Sequence, residues 1–105
     1  MVERRVGAGR VPRRLNLGYM YAKGLGTARN MPEAIRHFEA VALPADSSDA
    51  FLARIELGRL FSRGDGIPVD RKAALEWYSA AIAIAPVDGF ADEVREAREF
   101  VVSAR

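Results

Sequence analysis

The chain carries few residues that could do covalent or acid–base chemistry. There is no cysteine, which removes disulfides, thiolate zinc sites and thiol nucleophiles together. One histidine, His37, is a candidate general base, because imidazole is the side chain whose ordinary range lies near neutral pH. It stands without a serine, cysteine or carboxylate–water arrangement converging on it in sequence, and alone it cannot build a histidine metal cluster. The pairs Gly24/Gly26 and Gly64/Gly66 have the G-x-G spacing of a phosphate cradle. They follow helical patterns rather than strands, and lack both the third glycine and the Lys-Ser/Thr that a phosphate loop uses. Asp65 and Asp70 read as a loop residue and a helix cap, and Glu93, Glu96 and Glu99 as a solvated helix face. Paired acids for glycoside or phosphoryl chemistry must converge in a cleft. The expectation is therefore no enzyme, no cofactor and no metal, with His37 in a packing role.

What positions these residues is an internal repeat of 40 residues. Shifting the chain by 40 places Leu17-Gly18 on Leu57-Gly58, Gly24 on Gly64, Gly26 on Gly66, Ala34 on Ala74 and Ala40 on Ala80. Asn30 falls on Asp70, Phe38 on Tyr78, Met20 on Leu60, Tyr21 on Phe61 and Ile35 on Leu75, with no gap between residues 15 and 85.

Each unit reads as two helices joined by a glycine loop. Ala50, Ala53, Leu57, Leu60 and Phe61 follow helical spacing after cap candidates at Asp46 to Asp49. Gly64 fits a left-handed C-cap, and Asp70 caps a second stripe of Ala73, Ala74, Trp77, Tyr78 and Ala81. In the first unit Asn30 is the cap, with Glu33 at capping-box spacing and Pro32 in the first turn. The predicted fold class is all-α, with helices at 10–23, 30–42, 48–63, 70–84 and 89–104. The units span 10–45 and 46–86, after a basic arm at 1–9 and before a capping helix in 87–105.

The pattern LG-x-x-Y/F-x-x-G-x-G, then N/D, then A-x-x-W/H-Y/F-x-x-A resembles the Sel1-like repeat, a relative of the tetratricopeptide repeat. It is written here as LGYMYAKGLG…N…AIRHFEA and LGRLFSRGDG…D…ALEWYSA, over about residues 10–85. The resemblance implies a curved α-solenoid acting as an adaptor or assembly platform, whose motif residues pack and do not catalyse. Arg13 replaces the equivalent of Ala53, and His37 that of Trp77.

Glycine inside a helix costs about 1 kcal/mol relative to alanine, so Gly18 and Gly58 predict close approach of the partner helix. Aromatic pairs Tyr21–Phe38 and Phe61–Tyr78 are expected to fill each hairpin. The C-terminal helix puts Phe90, Val94, Ala97, Val101 and Ala104 on one stripe, with Asp92, Glu96, Glu99 and Ser103 opposite.

Composition sets the class of work. Half of the 105 residues are apolar and 29% are charged, which fits a small folded domain and not a disordered chain. The longest small-apolar run, Ala80 to Ala85, is far below the roughly 20 residues a membrane helix needs. No apolar leader is visible in residues 1–14, which points to the cytoplasm. Those residues hold Arg4, Arg5, Arg10, Arg13 and Arg14 against Glu3, a local balance of +4 in a chain of net charge +2. Such an arm can contact nucleic-acid phosphates. The remainder sums to −2 and offers no aromatic–basic platform to extend that footprint.

The leading expectation is a protein-binding groove lined by the first helix of each unit. Asn16, Tyr19 and Lys23 form one stripe, and Glu56, Arg59 and Arg63 are their equivalents. One aromatic and three cations suit an acidic peptide or a helix end with free carbonyls. Replacing Tyr19, Arg59 and Arg63 by alanine is expected to abolish capture with little effect on melting. Nucleic-acid association through the arginine arm is the alternative. Phe51, Ile55 and Ser62 are assigned to the flank that faces the preceding unit. Their equivalents Val11, Leu15 and Ala22 then lie uncovered, which predicts a symmetric homodimer through the first helix.

Overall fold

In the computed structural model, residues 13–43 and 47–104 are described. They form α1 (Asn16–Lys23), preceded by a 3₁₀ turn at Arg13–Leu15, then α2 (Met31–Ala42), α3 (Ser48–Arg63), α4 (Arg71–Ala83) and α5 (Ala91–Ala104). No strand occurs among the described residues. The chain is an all-α solenoid, as the sequence predicts. The predicted first helix is tightened at its start: Arg13–Leu15 take 3₁₀ geometry where α-helix was expected.

Polar side chains start the helices where the pattern placed them. Asn30 Oδ1 accepts from the Glu33 N–H at 3.2 Å, and Asp70 Oδ1 accepts from the Ala73 N–H at 2.9 Å. For α3, Ser47 is the cap, accepting from the Ala50 N–H at 3.2 Å. The Glu33 side chain does not complete a reciprocal capping box, because its carboxylate takes Arg36 Nη2 at 2.6 Å. Gly24 and Gly64 end α1 and α3 at φ 71° and 67°, a conformation that strains any residue with a Cβ. The loop bonds repeat with the sequence. The Asn30 N–H donates to Tyr21 O and the Asp70 N–H to Phe61 O, both at 2.9 Å.

The hairpins close on the two mid-helix glycines. A Cβ built on Gly18 would lie 2.6 Å from Phe38 Cε1, and one on Gly58 would lie 2.9 Å from the Tyr78 ring. The aromatic partners differ from those expected. Phe38 meets Tyr19 edge-on, with centroids 5.2 Å apart, while Tyr21 stacks on His37 at 5.5 Å. Tyr78 meets Phe100 of α5 at 4.8 Å rather than Phe61. Residues 19 and 21 differ by about 200° around a helix, and the crossing of α2 over Gly18 brings the Tyr19 side toward Phe38.

Two buried clusters share α3 between them. Leu15, Ala34, Phe38, Val41 and Ala42 pack with Ala53 and Leu57, whereas Phe51 and Ile55 pack with Ala74, Tyr78, Ala81 and Ala97. This corrects the assignment of flanks. Ala53 and Leu57 face the preceding hairpin, and Phe51 and Ile55 face α4 and α5. Leu15 is accordingly 1% exposed inside the chain, Ala22 is half-buried, and Val11 lies outside the described residues. The homodimer expected through an uncovered Leu15 loses its premise. The arm at 1–9, with Arg4 and Arg5, and Arg10 beyond it, also lies outside the described residues.

Candidate binding groove

The repeat sets α1 and α3 side by side, and Tyr19 and its equivalent Arg59 both bond to Glu56. Tyr19 Oη donates to Glu56 Oε2 at 2.5 Å, and Arg59 Nη1 donates to the same oxygen at 2.9 Å. Arg59 then clamps Glu96 of α5 with two bonds, Nη2 to Oε1 at 2.6 Å and Nε to Oε2 at 2.9 Å. Tyr78 Oη donates to Glu96 Oε2 at 2.7 Å. Residue 59 is the equivalent of 19, and 96 is the equivalent of 56. Tyr19–Glu56 and Arg59–Glu96 are thus one inter-repeat contact made twice, which makes α5 the positional counterpart of α1 and α3.

The network sets the protonation of its members. Burial, then the neighbouring Glu56 carboxylate, pushes the Tyr19 hydroxyl well above the ordinary tyrosine value. Burial and the bond to Glu96 do the same for Tyr78. Burial pushes the Glu96 carboxyl up, but the bonds from Arg59 and Tyr78 outweigh it and hold it below its usual value. Arg59 is held firmly protonated, chiefly by its bond to Glu96 against the opposing effect of burial. A guanidinium shared between two carboxylates is neutralised locally and is not available to an incoming acid. Glu96 therefore does not belong to a solvated face, where its stripe had placed it; its side chain is 31% exposed.

Tyr19, Lys23, Glu56, Arg59 and Arg63 all line one cavity of about 360 Å³. Asn16, the sixth predicted residue, is exposed on α1 and lies outside that lining. Lys23 and Arg63 sit in the last turns of α1 and α3 and are exposed, and neither forms an ion pair among the described residues. The sequence reading missed Met31, Leu60, Arg29 and Asp65, which line the wall together with Ala22 and Phe38. Arg29 donates to Ala22 O and Asp65 O, both at 3.0 Å, and pairs with Asp65 Oδ1 at 2.9 Å, tying the first glycine loop to the second. Loop partners of this kind leave no periodic trace. Glu96, by contrast, was findable, since it stands 40 residues after Glu56.

The groove offers three exposed cations, of which Arg29 is paired with Asp65, together with an aromatic edge and an apolar floor. His37 does not line it; the imidazole stacks on Tyr21 and lies 3.7 Å from Glu33. The hydroxyls of Ser62 and Ser103 donate to carbonyls three residues back on their own helices. Among the described residues no group of three or more acidic, histidine or cysteine side chains is placed to hold a metal ion. No helix among them is long and apolar enough to cross a membrane.

A family model described as Sel1 repeat matches residues 14–42 and 52–83, more than half of the chain and both hairpins. Repeats of this kind are generally protein–protein interaction modules. No curated protein and no solved structure matches the chain.

Proposed function

The chain belongs to the Sel1 repeat family, and from that premise we propose that it is a non-enzymatic adaptor module. It holds an acidic segment of another protein in the groove between α1 and α3. The observation that carries this reading is the convergence of five repeat-equivalent or repeat-bonded residues, Tyr19, Lys23, Glu56, Arg59 and Arg63, on one cavity. Their roles differ. Lys23 and Arg63 meet carboxylates of the bound segment, since Arg59 is engaged by Glu56 and Glu96 and Arg29 by Asp65. Leu60 and Met31 receive an apolar side chain between those carboxylates. Asn16 extends the polar edge along α1.

The division of roles changes the test. Tyr19 and Arg59 hold the repeats together, so replacing them weakens the fold as well as the groove. The informative variant is Lys23→Glu with Arg63→Glu, read by fluorescence anisotropy with a labelled peptide of alternating glutamates and leucines. Affinity falls at least tenfold in the double variant, with the melting temperature unchanged. Equal affinity for both proteins would sink the reading.

A further inference from the structure

The sequence holds the dipeptide Asp-Gly twice, at Asp65-Gly66 and at Asp88-Gly89. An aspartate followed by glycine is open to attack by the next backbone nitrogen on its own side-chain carbonyl carbon, because glycine has no Cβ to hinder the approach. The two sites are alike in sequence and in glycine conformation, with φ 86° at Gly66 and 85° at Gly89. They differ in what surrounds them.

Asp65 is held at two atoms by one guanidinium. Arg29 Nη2 pairs with its carboxylate Oδ1 at 2.9 Å and donates to its backbone carbonyl at 3.0 Å. Gly66 is packed as well: a Cβ built there would lie 2.8 Å from Met31 Cγ and 3.0 Å from Arg29 Nη2. Asp88 lies in the link between α4 and α5, where Val87, Asp88 and Gly89 are all exposed. Among the described residues its carboxylate forms no ion pair, and the Gly89 N–H donates no backbone hydrogen bond. A Cβ built on Gly89 would meet nothing within 4 Å. The link is tied near its ends. The Ala85 N–H donates to Ile82 O at 3.2 Å, and the Phe90 ring packs on Phe51 with centroids 5.8 Å apart.

We propose that Asp88 is a site of self-modification at which the chain converts aspartate to isoaspartate, while Arg29 protects the same dipeptide at Asp65. The Gly89 nitrogen bonds to Cγ of the protonated Asp88 carboxyl, and the hydroxyl leaves with the amide proton as one water. The five-membered succinimide that results takes up one water. Opening at Cγ returns aspartate. Opening at the main-chain carbonyl carbon leaves the peptide linked through Cβ and Cγ, with a free α-carboxylate. The steps balance in atoms and electrons, and water, which reaches the exposed link from solvent, is the sole co-reactant. The product adds one carbon to the backbone two residues before Phe90, which holds φ 56° where its ring meets Phe51.

The test is peptide mapping of the full chain, aged at neutral pH and body temperature in buffer and, in parallel, in concentrated urea. Chromatography separates the isoaspartyl peptides, and electron-transfer fragmentation identifies the linkage. In buffer, isoaspartate accumulates at position 88 about tenfold or more faster than at 65, since Asp65 must first break a charge-assisted bond. In urea, where Arg29 no longer holds Asp65, the two rates converge. Arg29→Gln in buffer raises the rate at 65 toward that at 88 and leaves 88 unchanged. Equal rates in the folded parent, faster conversion at 65, or conversion at 88 that occurs only in urea overturns the proposal. A rate at 65 that Arg29→Gln does not change, with helicity intact, overturns the protective role of Arg29. The comparison of buffer with urea decides the role of Asp88 without that variant.

Discussion

Replacing Gly18 by alanine should destabilise this protein, against the usual gain for such a change in a helix. Alanine is favoured over glycine in a helix interior by about 1 kcal/mol. At position 18, however, the new Cβ would lie 2.6–2.8 Å from three atoms of the Phe38 ring. Phe38 is 1% exposed and packed on several sides, so its ring has no free direction in which to retreat. Overpacking of this kind costs about 1–3 kcal/mol, and overlap with three ring atoms belongs at the upper end. The net expectation is a loss of about 2 kcal/mol. Phe38→Leu removes the outer ring atoms, and in that background Gly18→Ala becomes neutral or stabilising. Urea unfolding of the four proteins gives the coupling directly, with an expected value of about 2–3 kcal/mol. If Gly18→Ala stabilises the parent, or changes both backgrounds equally, the close crossing of α1 and α2 is not what the glycine serves.

Three other outcomes follow from the same contacts. Leu15→Ala lowers stability by about 2–5 kcal/mol in urea unfolding, because the side chain is fully buried within the chain and its loss leaves a cavity. Glu96 has a depressed carboxyl in the folded state, so its contribution is fully present above the ordinary value of 4.5 and is lost as pH falls through the lower folded value. Melting curves from neutral pH downward therefore show the parent well above Glu96→Gln at neutral pH, with the gap narrowing below pH 4.5; a gap that widens in acid contradicts the network. Asp70→Ala costs about 1 kcal/mol by removing the cap of α4, and Asp70→Asn restores most of it.

How far the fold could be read without coordinates depended on what repeats. The helix starts at Asn30 and Asp70, the left-handed glycines at 24 and 64, and the close crossings at Gly18 and Gly58 all rest on local chemistry written twice. The flank assignment failed because a helical projection gives the apolar stripe but not which part of it meets which neighbour. Leu15 and Leu17 are both apolar, and the crossing angle of α2 buries the former and leaves the latter half exposed. The aromatic pairs failed for the same reason. Glu96 was assigned to solvent because its own helix shows only a polar stripe there. Its partner, Arg59, comes from α3, and the sequence trace of that contact is the 40-residue spacing of Glu96 from Glu56. Five of the six predicted groove residues do meet at one cavity, but their division into Lys23 and Arg63 on the rim and Tyr19, Glu56 and Arg59 in a bonded network required the third dimension.

Binding of an acidic segment in the α1–α3 groove can be followed residue by residue by NMR. The isotope-labelled protein is titrated with the alternating glutamate–leucine peptide while backbone and side-chain shifts are followed. Saturable shifts are expected at Tyr19, Lys23, Met31, Leu60 and Arg63, and they disappear in Lys23→Glu with Arg63→Glu. Shifts confined to the arginine arm, or spread over the surface and unchanged by the double variant, would contradict it.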